Sequence, residues 1–140
     1  MTRHCIVRSA PCETRYAGQV PKARCAGSAF SKFGRNEIDI ALVNAAVMIE
    51  LSDDGKVDTL RIAVGQTSSM PELITDASDQ AQGAVFSVNQ IDKVAAYASE
   101  HIKARSDFRA SADYRRHLTR ILVGRSLLEV TRKAGLALED

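Results

Sequence analysis

The chain has 140 residues, a formal net charge of +2 and an ordinary hydrophobic share of 45%, which suits one domain with a real core and argues against a wholly disordered chain. No apolar run approaches the roughly 20 residues that span a bilayer, and the start "MTRHCIVRSAP" lacks an apolar h-region, so neither a membrane partner nor a signal peptide is expected. The charge is segregated: residues 1–36 carry a net +6, residues 37–100 a net −8 and residues 101–135 a net +6, a layout that calls for internal pairing or a polar partner surface.

Residues 1–27 contain Pro11 and Pro21 and show neither helical nor strand period. They are expected to form a poorly ordered tail or linker remnant, with the folded domain over residues 28–140. Cys5, Cys12 and Cys25 are odd in number and widely spaced, which fits reduced thiols in a cytoplasmic protein better than a disulfide framework. No pair has the C-x2–4-C spacing of a structural zinc site, so His4 with these thiols is a weak ligand set and no metal is expected.

"FSKFGRNEIDIALVNAAV", residues 30–47, changes character halfway. Phe30 and Phe33 can pack while Lys32 and Arg35 project, and Gly34 lets the backbone bend or approach a ligand closely. Cations at the mouth of a core strand suit an anion or an electron-rich ring. An edge turn with solvated charges accounts for them equally well, and both readings stay open on the residues alone.

From Ile40 to Leu51, Ala41, Val43, Ala45, Val47, Ile49 and Leu51 fall on one face at period two, which predicts a buried strand. "SDDGK" is a hairpin loop with Gly55 available for positive φ. A second strand follows with Leu60, Ile62 and Val64 in alternation, then the polar loop "GQTSSMP", then "ELITDA" as a short strand or a turn. "SVNQ", residues 87–90, is a capping box opening a helix near 88–103, with Ile91, Val94, Ala95, Ala98 and Ile102 on one stripe. Ser111 is the expected N-cap of a last helix near 112–134, with Asp113 in its first turn. Its stripe is read as Tyr114, Leu118, Ile121, Leu122 and Leu128, widened by Val123, Leu127, Val130 and Ala134, with Gly135 marking the end. Strands first and helices second indicate an α+β fold, a small antiparallel sheet packed against a helical bundle.

No P-loop, G-x-G-x-x-G, H-E-x-x-H, G-x-S-x-G or C-x-x-C occurs. His101 and His117 sit among charged residues on helix faces with no evident acid or nucleophile partner, so no catalytic residue is assigned. The last helix is basic, but only Tyr114 is aromatic there, and a solvated or internally paired face is preferred to a nucleic-acid partner.

The block "SAFSKFGRNEIDIALVNAAVMIELSDDGKVDTLRIAVG" followed forty residues on by "SDFRASADYRRHLTRILVGRSL" resembles the C-terminal domain of the FAD-binding (medium) subunit of molybdenum hydroxylases, the family of xanthine dehydrogenase and aerobic carbon monoxide dehydrogenase. The similarity covers residues 28–133. It implies a domain that lines the flavin edge beside a separate FAD-binding domain, in a complex with a molybdopterin subunit and a 2Fe–2S subunit. In such a complex electrons pass from iron–sulfur clusters through FAD to NAD or another acceptor. The resemblance implies cofactor contacts at Lys32, Arg35 and Asp39, and a structural role for the Ser111–Arg116 block. Departures are present: no glycine-rich phosphate loop occurs in residues 1–27, "GQTSSMP" replaces a more apolar family segment, and Asn36 stands where a second arginine is frequent. The chain is therefore expected to be part of an oxidoreductase, with weak or no FAD binding and no turnover by itself. The rival reading is a stand-alone, non-enzymatic interaction module that kept the fold without the flavin site.

Overall fold

The computed structural model describes residues 26–36, 38–83 and 87–134. The expectations for residues 1–25, including the ligand set of His4, Cys5, Cys12 and Cys25, and the helix end at Gly135 lie outside the described residues. The elements run β1 (Ala26–Phe33), β2 (Val43–Leu51), β3 (Val57–Gly65), β4 (Glu72–Leu73), α1 (Ala77–Ala81), α2 (Val88–His101) and α3 (Ala112–Lys133). The four strands form one antiparallel sheet in chain order, with α3 packed on β1 and β2, α1 on β3, and α2 against α3. The α+β architecture read from the sequence is the observed one.

Alternation sets the two faces of the sheet. Val43, Ala45, Val47 and Ile49 of β2 and Leu60, Ile62 and Val64 of β3 are buried beneath the helices, as period two requires. The β2–β3 hairpin closes through the Ser52 N–H on the Lys56 carbonyl (2.9 Å) and the Gly55 N–H on the Ser52 carbonyl (3.0 Å). Gly55 has φ of 77°, a conformation that glycine adopts without cost. Register shifts between Glu50 and Leu51, and this bulge brings Val57 as well as Leu60 inward.

Two boundaries differ from the sequence expectation. β2 begins at Val43 rather than Ile40, because Ile40 is exposed and the Leu42 N–H on the Phe33 carbonyl (2.8 Å) closes the segment before it as a loop. "SAFSKF", given no strand in the sequence reading, is strand and forms most of β1. Its inward residues are small because α3 comes close. A Cβ at Gly27 would lie 3.2 Å from the Val130 carbonyl oxygen, and the Ser31 and Ser126 hydroxyls are 2.8 Å apart. At the end of α3, Lys133 donates from Nζ to the Ser28 carbonyl of β1 (3.2 Å) and pairs with Glu129 (2.6 Å).

Ser87 caps α2 by accepting from the Gln90 N–H (3.2 Å). The Gln90 side-chain amide donates to the Gln80 carbonyl, so it ties α2 to α1. Ser111 caps α3 by accepting from the Tyr114 N–H (3.2 Å). The buried stripe of α3 contains Arg115, Leu118, Thr119, Leu122, Val123, Ser126, Leu127 and Val130, whereas Tyr114 is 43% exposed. The stripe is thus rotated by one residue at its start, and a charged side chain occupies the place read as that of Tyr114. No helix among the described residues is long and apolar enough to cross a membrane.

Candidate functional site

The sheet face away from the helices is open, and the strand register fixes its layout. Cross-strand partners share a face, so rows of side chains cross it, three of them at the candidate site. Lys32, Asn44 and Gly65 form the first, Phe30, Ala46, Ala63 and Leu73 the second, and Ser28, Met48 and Arg61 the third. The middle row has two alanines between large apolar side chains, with Phe30 64% and Leu73 59% exposed. Three strand spacings separate its ends, about 14 Å. The result is a shallow trough of about 580 Å³ lined by Phe30, Ala46, Met48, Arg61, Ala63 and Leu73. Ala46 and Ala63 form its floor, Phe30 stands at one side, and Arg61 with Glu129 and Lys133 of α3 adds charge to its rim.

Lys32 lies on this open face, two residues along β1 from Phe30 and opposite Asn44. In the same row Gly65 packs against the Asn44 side chain, and a Cβ there would displace Asn44 Oδ1. Glycine at this position lets the Asn44 amide lie across β3 beside the Lys32 position.

Arg35 and Asp39 sit in the loop after β1, where Asp39 donates its backbone N–H to the Asn36 carbonyl (3.2 Å). Arg35 Nε stands 3.8 Å from Asp39 Oδ2, with side chains 70% and 34% exposed. That separation and exposure make the pair worth at most about 1 kcal/mol. With Ile40, Leu42, Phe108 and Arg109 they line a small cavity of about 160 Å³. The Arg109 guanidinium carbon lies 5.2 Å from the centre of the Phe108 ring. The structure therefore brings Arg35 and Asp39 together, and places Lys32 apart from their cavity, on the open sheet face.

Arg115 lies in the Ser111–Arg116 block to which the resemblance gave a structural role, but its burial was not read from the sequence. It is 2% exposed, and its guanidinium donates to the Leu42 carbonyl (2.5 Å), the Gln66 carbonyl (2.6 Å) and Asp107 Oδ2 (2.7 Å). A signal was present: Arg115 precedes Leu118 by three and Leu122 by seven, so it falls on the apolar stripe, where a charge needs partners. The Arg109 N–H (2.9 Å) on its carboxylate, together with the Ala110 N–H (3.1 Å) and the Arg115 guanidinium, holds the Asp107 carboxyl below its ordinary range despite some desolvation.

A second polar groove, of about 390 Å³, lies near Glu72, Asp76, Tyr97 and His101. His101 stacks on Tyr97 with ring centres 3.8 Å apart, and the Tyr97 hydroxyl donates to Asp76 (3.3 Å). Desolvation, reinforced by the Asp76 carboxylate, pushes the Tyr97 hydroxyl above its ordinary value. Among the described residues no group of three or more His, Cys, Asp and Glu side chains could hold a metal ion.

A family model described as the CO dehydrogenase flavoprotein C-terminal domain matches residues 28–130. The nicotine 6-hydroxylase medium subunit of Paenarthrobacter nicotinovorans is 28% identical over 103 residues, covering 74% of this chain and 36% of that protein. A xanthine dehydrogenase FAD-binding subunit of Escherichia coli is 28% identical over 110 residues, covering 78% of this chain and 37% of that protein. Among solved structures, quinoline 2-oxidoreductase from Pseudomonas putida 86 superposes with a TM-score of 0.72 at 28% identity, over 78% of this chain and 38% of that one. The cyanide-inactivated form of Cu,Mo-CO dehydrogenase superposes with a TM-score of 0.70 at 26% identity, over 77% of this chain and 37% of that one. The chain thus spans little more than a third of the length of the relatives it matches.

Proposed function

The chain belongs to the CO dehydrogenase flavoprotein C-terminal domain family, and from that premise we propose that it covers the flavin of an FAD-binding subunit of a molybdenum hydroxylase. The observation that carries the reading is the middle row of the open face. Phe30, Ala46, Ala63 and Leu73 present a flat apolar floor, with Lys32 one row away. A fused planar ring suits that floor, and a cation suits the carbonyl oxygens at its edge and the negative charge of its reduced form. FAD, when bound in the complete subunit, carries electrons from iron–sulfur clusters toward NAD or another acceptor.

The residues divide the work. Phe30 and Leu73 flank the ring and exclude water from its face. Lys32 supplies positive potential at the ring edge, which favours the electron-rich form of the cofactor in a site of lowered dielectric. Arg35 supplies a second, more exposed cation, and Asp39 orients it. The described residues offer a surface for a ring and no glycine-rich cradle for a diphosphate. A separate FAD-binding domain must therefore hold the rest of the cofactor, and molybdopterin and 2Fe–2S subunits complete the complex. The cytoplasmic assignment rests on the three thiols of the sequence.

The test is a 15N–1H NMR titration of this chain with flavin mononucleotide. Amides of residues 28–32, 44–48 and 61–65 should shift, weakly and saturably, and Phe30→Ser with Lys32→Ala should abolish the response. Shifts confined to the groove around Tyr97, or none up to the solubility of the flavin, would overturn the reading.

A further inference from the structure

We propose that Arg115 is a positioning residue that locks the two loops at the Lys32 end of the sheet into one rigid rim. Its three acceptors belong to three separate segments. Leu42 ends the loop that carries Arg35 and Asp39. Gln66 follows Gly65, the residue packed against Asn44. Asp107 belongs to the segment that supplies Phe108 and Arg109 to the small cavity beside Arg35. A planar guanidinium can bond three acceptors at fixed mutual angles, which a lysine ammonium on a flexible stem does not impose.

Two further observations point to position rather than to stability. Gln66 has φ of 68°, a left-handed conformation that a non-glycine residue keeps only where its surroundings over-determine it. The Arg115 bond to the Gln66 carbonyl is one such constraint, and the Arg105 N–H on the Thr67 carbonyl (2.9 Å) is another. In addition, Arg115 Nε meets no acceptor among the described residues. A buried polar group with a donor left over is a poor way to gain stability compared with an apolar side chain of similar volume. Arg115 sits on a long, well-packed helix one turn after its cap, and its own carbonyl accepts from Thr119 Oγ1 (2.8 Å). The clamp therefore refers the loops to the most rigid element of the fold.

Its consequence for the cofactor rests on the flavin reading above: the rim sets where Arg35, Asp39 and the Asn44–Lys32 pair stand relative to the ring. The experiment compares Arg115→Met, Arg115→Lys and Asp107→Asn with the parent chain and with Arg116→Met as a surface control. Amide hydrogen exchange and the flavin mononucleotide titration are the readouts. In Arg115→Met, residues 38–42 and 66–70 should exchange in step, about tenfold faster, while Ile91–Ala98 and Leu118–Leu127 stay protected. The flavin-induced shifts at Lys32 and Ala46 should weaken in parallel. Should Arg115→Met fail to fold, Asp107→Asn and Arg115→Lys decide, with a smaller acceleration in the same two loops. Acceleration spread evenly over the molecule, or loops as slow as in the parent, overturns the clamp. Flavin shifts that persist unchanged in a folded Arg115→Met overturn the positioning role alone. An absence of flavin shifts in the parent removes the flavin reading and leaves the clamp to be judged by exchange.

Discussion

Arg115 and Tyr114 show how much one residue of helix rotation decides. Tyr114 is largely outside and Arg115 inside, so truncating them should have opposite weights. Tyr114→Ala should change stability by no more than about 0.5 kcal/mol. Arg115→Met leaves the Leu42 and Gln66 carbonyls without their donor, but Asp107 is partly exposed and keeps the Arg109 and Ala110 N–H groups, so the cost should be only about 1–2 kcal/mol. Chemical denaturation of both variants checks the contrast. The sequence carried the clue, since a charge on an apolar stripe must be paired, but a tyrosine next to it is also a good core residue and competes for the same place. Which of two adjacent residues turns inward depends on the carbonyls of Leu42 and Gln66, which are remote in sequence.

Asp107 makes the same network sensitive to acid. Its folded pKa lies below the usual 3.8, so its stabilisation is fully present above that value and is lost as pH falls through the folded value. Asp107→Asn should therefore unfold at a lower temperature than the parent at about pH 7, with the gap narrowing at about pH 3. A gap of constant size would show that the carboxylate charge is not what matters. At Lys32 the readout is electrical. In an assembled flavin subunit, Lys32→Ala should lower the flavin reduction potential by tens of millivolts, since about 30 mV corresponds to roughly 1.4 kcal/mol for a two-electron couple. A spectroscopic redox titration with unchanged potential and full flavin content would reduce Lys32 to a surface charge.

Among the elements, β2, β3, α2 and α3 were legible because each carries a long periodic apolar face. β1 was not, and the reason is packing. Its inward side holds Gly27, Ala29 and Ser31, small residues chosen by the close approach of α3 rather than by burial of apolar area. Its two phenylalanines do not mark the buried face either: Phe30 points outward, and Phe33, opposite Val43 at the strand's end, is still 37% exposed. Filling that contact should hurt: Gly27→Val presses on the Val130 carbonyl and should cost about 1–3 kcal/mol as overpacking does. Leu118→Ala or Leu122→Ala should cost about 2–5 kcal/mol by opening a cavity. Thermal melts of the three variants test this ordering against Tyr114→Ala.

At the scale of the molecule, the order of elements was enough to give the α+β class, and alternation was enough to say which sheet face is buried. The candidate site was only partly legible. Lys32, Arg35 and Asp39 came from the family resemblance, whereas the trough is built from Ala46, Ala63 and Leu73 of three other strands, and no local pattern announces it. A surface of this kind, with Phe30, Met70 and Leu73 exposed, offers contact area and a few cations but no pocket for a diphosphate. The chain alone should therefore bind FAD no more tightly than flavin mononucleotide, because the adenosine half adds nothing that this surface holds. Parallel titrations with the two flavins measure the difference; a much tighter FAD complex would reveal a diphosphate site within this chain.

The contact between Lys133 and the Ser28 carbonyl bears on how copies of the protein behave toward one another. β1 is an outer strand of eight residues, and the main chain of such a strand is a template on which a neighbouring molecule can extend the sheet. The last turn of α3 sets an ammonium group on one of its acceptors, anchored by Glu129. A charged lysine at that spot makes the edge costly to pair with. Lys133→Ala should leave the melting temperature nearly unchanged and raise light scattering with concentration. A variant as monodisperse as the parent would show that the edge is guarded by other means.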